Sequence, residues 1–241
     1  MVKNKNKKLG ILGGMGPQAT QYFFQRIIES TDAKCDQDHI DIMIINQAST
    51  PDRTASILSK NDKDLMSVVE KNLKLFEIYG VDNIAIPCNT THYFYEKIQS
   101  KTKIPIINMV EEAVKSILET KGVKKIGILA TDGTIFTKIY EKECVKRDAE
   151  AVFPSEANQK KIMEIIYKEI KSGEKGDFNK FMEVVKELRD KGCEVIVLAC
   201  TELSYLNKNY KLPEYCLDAL EVLVRRSIEL SGKKIKTSSY S

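Results

Sequence analysis

The sequence predicts an α/β protein of two pseudo-symmetric lobes, each a mostly parallel sheet flanked by helices, with the active site in the cleft between them. Three observations predict it. Short runs of Ile, Val and Leu alternate with longer segments of helical apolar period, the pattern of parallel βαβ units. The strand-like runs are almost continuously apolar, as in sheets covered on both faces. The chain also contains itself twice: KKLGILGGMGP at 7–17 matches KKIGILATDGT at 124–134, and YGVDNIAIPCNTTHY at 79–93 matches KGCEVIVLACTELSY at 191–205. Gly10 and Cys88 are 78 residues apart and Gly127 and Cys200 are 73 apart, so order and spacing hold in both copies.

LGILG at 9–13 reads as the first strand, and Gly10, Gly13, Gly14 and Gly16 crowd the turn where it hands over to a helix. Their spacing, followed by Pro17, fits neither the dinucleotide fingerprint nor the phosphate loop. Six further strands are predicted: IDIMIINQ (40–47), NIAIPCN (83–89), KIPIINM (103–109), KIGILAT (125–131), AEAVFP (149–154) and EVIVLACT (194–201). The helices between them are predicted at 18–31, 64–80, 109–122, 135–147, 160–173 and 178–192. The first lobe is expected to span 1–112 and the second 113–212. Residues 213–230 are expected to form a C-terminal helix packing back on the first lobe.

Composition narrows the function classes. At 42% hydrophobic and 30% charged residues the 241-residue chain is that of an ordinary globular protein. It has no apolar run long enough for a membrane span, and MVKNKNKK leads into a glycine-rich turn rather than a signal sequence, so a cytoplasmic protein with no membrane partner is expected. The net charge of +4 comes from lysines at the two ends, including Lys3, Lys5, Lys233 and Lys234, which argues against a nucleic-acid partner. Six cysteines include no C-x-x-C pair, and the two histidines, His39 and His92, stand far apart, so no metal site and no disulfide framework is expected.

Ligands of parallel α/β sheets bind beyond the carboxyl ends of the strands, and both repeats place a thiol there: Cys88 ends NIAIPC and Cys200 ends VIVLAC. Asn89, Thr90 and Thr91 follow the first, and Thr201 and Glu202 the second, all suited to capping the next helix and bounding an anion pocket. A single such Cys reads as a small buried hydrophobe. A pair at equivalent repeat positions reads as catalytic, one thiolate taking a proton from carbon and one thiol returning a proton on the opposite face, which inverts the stereocentre.

GGMGP, PCNTTH and ACTEL, in that order, resemble the aspartate/glutamate racemase family of cofactor-independent amino-acid racemases, aspartate racemase type, with the likeness running from about Lys8 to about Ile228. The resemblance implies no pyridoxal phosphate or other cofactor, a small amino-acid substrate, a homodimer, and Cys88 and Cys200 as the acid/base pair. It implies that Arg53 clamps a substrate carboxylate, that Lys171 supplies the second cationic contact, with Lys168 an alternative register, and that Gly14 and Met15 line the cleft. Glu202 falls where cell-wall glutamate racemases carry a His, which favours the aspartate racemase branch. Aspartate, glutamate or both remain open as substrates. So do a dicarboxylate isomerase or decarboxylase with one nucleophilic Cys, and a non-catalytic sensor of dicarboxylic amino acids. His92 receives no role, and Cys35, Cys144, Cys193 and Cys216 read as structural.

Overall fold

Two strands, one from each copy of the repeat, sit at the centres of two parallel sheets. The computed structural model describes residues 7–119 and 122–237. The first half runs β1 (Leu9–Gly13), α1 (Pro17–Ser30), β2 (Ile42–Asn46), α2 (Arg53–Leu58), α3 (Lys63–Tyr79), β3 (Asn83–Ala85), α4 (Tyr95–Gln99) and α5 (Met109–Leu118). The second runs β4 (Lys125–Ala130), α6 (Asp132–Thr137), α7 (Ile139–Val145), β5 (Glu150–Val152), α8 (Glu156–Glu164), α9 (Phe178–Asp190), β6 (Val195–Ala199), α10 (Leu203–Tyr210), β7 (Cys216–Asp218) and α11 (Ala219–Leu230). The sheets have orders β2-β1-β3 and β5-β4-β6-β7, parallel throughout. Among the described residues no helix is long and apolar enough to cross a membrane.

The glycine shared by the two KK-x-GIL leads has the same packing reason in each copy. A Cβ on Gly10 would lie 3.0 Å from the ring of Phe76 on α3, and one on Gly127 would lie 3.0 Å from Cδ1 of Leu188 on α9. In both sheets a helix presses a large side chain onto the backbone of the central strand, and only a bare residue lets it so close.

Several elements differ from expectation. KIPIINM forms no full strand: it touches β3 through one bridge, Ile84 with Ile106, because Pro105 can accept a hydrogen bond but has no N–H to extend the ladder. The segment 135–147 splits into α6 and α7 at Lys138, whose φ of 57° is left-handed. The helix expected at 160–173 begins earlier, at Glu156, and ends as a π turn, Ile165–Glu169, and a 3₁₀ turn, Ile170–Ser172. The C-terminal segment opens with β7, an edge strand of the second sheet, before α11 begins. Strand β2 is not covered on both faces, since Ile44 is exposed.

The boundary expected at 112/113 falls inside α5, and the two halves share a core. Leu9 and Ile11 of β1, Ile126 and Ile128 of β4, Val197 of β6, Val110 and Val114 of α5 and Leu220 and Leu223 of α11 belong to one apolar cluster. Helix α11 lies against α1, α5, β3 and β6, so it touches both halves.

Gly10→Val would force Phe76 off the strand, and overpacking of this kind costs about 1–3 kcal/mol. Urea unfolding should show the loss; an unchanged midpoint would mean that the ring yields freely.

Candidate active site

The site is built where β1, β3, β4 and β6 end. At β1, Gly14 has φ of 89° and a Cβ there would lie 2.3 Å from the carbonyl carbon of Gln47, so the turn is closed to any side chain. Its N–H donates to Thr20 Oγ1 at 2.9 Å, which ties the turn to α1. Met15 is buried behind it.

Cys88 follows β3. His92 Nδ1 lies 2.9 Å from the Cys88 carbonyl oxygen, while Nε2 lies 3.1 Å from the Met109 N–H. Nε2 also lies 3.3 Å from the Ile107 carbonyl oxygen, but the amide is closer and can only donate, which assigns the proton to Nδ1 and leaves the ring neutral. Burial pushes the His92 pKa down, in keeping with that form. His92 therefore braces the loop that carries Cys88 against the start of α5. Asn89 accepts a hydrogen bond at Oδ1 from the buried Tyr140 hydroxyl, at 2.5 Å, and its Nδ2 is buried with no partner.

Cys200 follows β6. Glu202 Oε2 lies 2.9 Å from Cys200 Sγ, and Oε1 lies 3.6 Å from Lys171 Nζ. Burial, then the negative charge of Glu202, pushes the Cys200 thiol well above the ordinary range. Burial alone would push the Lys171 ammonium down, but the Glu202 and Cys200 charges outweigh it and its pKa is raised. The Lys171 ammonium also lies 4.6 Å from the ring centre of Tyr167.

Cys88 and Cys200 line one cavity of about 20 Å³, room for about one water molecule. Met15, Arg53, Asn89, Thr90, Lys171, Thr201 and Glu202, all singled out in the sequence, line it too. Beside it opens a cavity of about 410 Å³ reached by Gly14, and Arg53, Lys171 and Glu202 border both spaces. Arg53 forms no pair with Asp52. Its guanidinium donates to the carbonyls of Thr50 and Pro51, its Nε is buried without a partner, and Asp52 caps α2 through the Ala55 N–H.

One sequence assignment changes and one open alternative closes. Thr91 lies away from the cavity, fully buried, with its hydroxyl on the Met15 sulfur at 3.4 Å. Lys168 pairs with Glu164 on the surface, which leaves Lys171 as the lysine at the cavity. Sequence reasoning missed Thr131, Tyr167 and Thr54, which also line the cavity. Thr131 had a signal, because the repeat aligns it with Gly14. Its hydroxyl lies 3.0 Å from that of Thr90, and Thr134 lies 2.9 Å from Thr90, so three hydroxyls join the two halves at one edge of the cavity. Tyr167 reaches Thr54 Oγ1 at 3.4 Å across another edge; it rides on the π turn, which periodicity could not show. Among the described residues no group of His, Cys, Asp or Glu is placed to hold a metal ion.

The profile of the Asp/Glu/Hydantoin racemase family matches residues 12–226. The broad specificity amino-acid racemase RacX of Bacillus subtilis is 30% identical over 203 residues, which cover 81% of this chain and 86% of that protein. The aspartate racemase of Picrophilus torridus superposes with a TM-score of 0.77 at 28% identity, covering 95% of this chain and 96% of its own. An aspartate racemase homologue from Pyrococcus horikoshii superposes at 0.76 over 94% of this chain and 99% of its own; at 24% identity it bears on the fold alone.

Beneath α10, Asp218 accepts from Ser204 Oγ at 2.8 Å and from the Leu220 N–H at 2.9 Å, capping α11. Burial pushes its carboxyl up to about 7, against an unfolded value of about 3.9. The native state therefore binds a proton that the unfolded chain has released between these values. This group's stabilisation is complete below about pH 4 and is lost as pH rises to about 7. Asp218→Asn keeps the cap, and should raise the melting temperature at pH 8 while leaving it nearly unchanged at pH 4. Equal changes at both pH values would refute a buried titrating carboxyl.

Proposed function

The chain belongs to the Asp/Glu/hydantoin racemase family, and from that premise we propose that this amino-acid racemase interconverts the L and D enantiomers of aspartate, glutamate or both by two-base proton transfer between Cys88 and Cys200. The observation that carries the reading is the pair of thiols at matching repeat positions, one from each half, lining a single buried cavity. Opposed acid and base groups are what inversion at a tetrahedral carbon requires, because one takes the proton from one face and the other returns a proton to the other.

Two buried donors without partners, Arg53 Nε and Asn89 Nδ2, belong to residues that line the same cavity. An unpaired buried donor costs free energy until an acceptor arrives, so a substrate α-carboxylate gains from meeting both. When the α-hydrogen leaves as a proton, the electron pair of the C–H bond delocalises into that carboxylate. Donors without other partners would stabilise the charge there as it develops. Tyr140 holds Asn89 for this task through its hydrogen bond to Oδ1.

Lys171, at the border between the small and large cavities, meets the side-chain carboxylate of the substrate. Its partner Glu202 must give up part of that ion pair when the substrate carboxylate arrives. The cavity of about 20 Å³ is too small for an amino acid, so admission also requires side chains at this border to move. Both proton transfers are assigned to protein thiols, and the scheme calls on no other reacting group.

Incubation in D2O with L-aspartate, and separately with L-glutamate, should yield the opposite enantiomer carrying α-deuterium. Cys88→Ser and Cys200→Ser should each lower inversion by roughly 10²–10⁴-fold while the circular dichroism spectrum stays native. Full inversion by either variant would sink the two-base scheme.

A further inference from the structure

We propose that Glu202 sets the two cysteines in unequal roles by holding the resting proton on Cys200, which makes Cys200 the donor and Cys88 the base in the enzyme that first meets substrate. This rests on the racemase reading above and deepens it.

The repeat makes the two thiols equivalent and then breaks the equivalence two residues on. Cys88-Asn89-Thr90 aligns with Cys200-Thr201-Glu202, so a hydroxyl stands in the first half where a carboxylate stands in the second. The Thr90 hydroxyl is engaged with the hydroxyls of Thr131 and Thr134, at 3.0 and 2.9 Å. The Glu202 carboxylate instead accepts from the Cys200 thiol at 2.9 Å, and both residues are buried. A carboxylate can accept a hydrogen bond from a thiol but gives none to a thiolate, so the contact favours the protonated sulfur. Other groups facing this part of the cavity are Tyr167 on the π turn, Lys171 on the 3₁₀ turn, Arg53 and Asp52 at α2, and Cys88, and Tyr140 of α7 is near enough to interact with the Cys200 charge. Lys171, 3.6 Å from Glu202 Oε1, is the cation that moderates the effect.

One turnover then runs in a set order for the enantiomer whose α-hydrogen faces Cys88. The Cys88 thiolate forms an S–H bond as the C–H bond breaks, and the electron pair passes into the substrate carboxylate. Cys200 S–H gives its proton to the opposite face of the carbon. The products are the inverted amino acid, a Cys88 thiol and a Cys200 thiolate beside the Glu202 carboxylate. Two adjacent anions in a buried site repel, so Cys200 regains a proton from solvent, Cys88 releases one, and the resting distribution returns.

The test measures iodoacetamide alkylation of Cys200 against pH by mass spectrometry of its peptide, using the midpoint rather than the rate so that access to the closed cavity cancels. Glu202→Gln should lower the midpoint by about one pH unit or more, which means about tenfold more thiolate at a fixed lower pH. Glu202→Asp should restore it towards the parent value. Lys171→Met should raise it, and provides the reading if Glu202→Gln does not fold. A midpoint unmoved or raised in Glu202→Gln, or lowered in Lys171→Met, overturns the proposal. A second readout is α-deuterium exchange in D2O from each enantiomer, with Cys200→Ser identifying the enantiomer that faces Cys88. The preference of the parent protein for that enantiomer should shrink about tenfold in Glu202→Gln; an unchanged preference also overturns it. If the parent protein exchanges neither enantiomer of either amino acid, the racemase reading fails, and the alkylation midpoint still decides whether Glu202 holds the Cys200 proton.

Discussion

The apolar packing of α11 against both sheets is the contact on which the site depends. α11 lies against β3, whose chain continues to Cys88, and against β6, whose chain continues to Cys200. Leu220, Leu223, Val224 and Ile228 are fully buried in the cluster that joins the halves. Burial of such side chains contributes on the order of 1.5–3 kcal/mol each, enough to hold the two strand ends in one relation. Without that seam each half would carry a thiol at the end of a sheet and no cavity would be bounded by both. β7 and α11 being successive elements, the second sheet and the seam are also joined by covalent chain.

Within this frame the site is nearly symmetric in backbone and unsymmetric in charge. Strand, thiol and following turn recur, yet one copy brings Thr90 and a ring of hydroxyls while the other brings Glu202 and Lys171. Hydroxyls knit the halves together at one edge without adding charge. The carboxylate and ammonium stand at the border with the larger cavity. Burial gives these charges their influence, because attraction and repulsion that water would screen act across a few ångströms of protein. Arg53 shows the same economy: its terminal nitrogens are engaged by backbone carbonyls, which fix the guanidinium while Nε stays unpartnered.

Much of this was legible in the chain because it is local or repeated. Apolar runs of strand length, helical periods between them and the duplicated KK-x-GIL lead expose the α/β class and its two sheets, since burial on both faces and the 3.6-residue period leave their marks residue by residue. The duplication also singled out Cys88 and Cys200 as a pair at equivalent strand ends. What stayed hidden depends on contacts between distant segments. Tyr140 meets Asn89 from 51 residues away, and His92 braces Met109 across two elements. The π turn that presents Tyr167, and the 3₁₀ turn after it that presents Lys171, interrupt a helical period with no glycine or proline inside them to announce it. Pro105 was visible, but whether its segment pairs as a strand depends on how β3 is placed.

The sequence by itself determined the alternation of strands and helices, the paired thiols and the residue types around them, because periodicity and repetition are properties of the chain. Only the tertiary structure decided that the thiols share one cavity, that Lys171 rather than Lys168 reaches it, that Thr91 turns away, and that Glu202 bonds to a thiol. Those outcomes hang on which side chains the shared core brings within a few ångströms, and a linear pattern carries no record of distance between segments folded together.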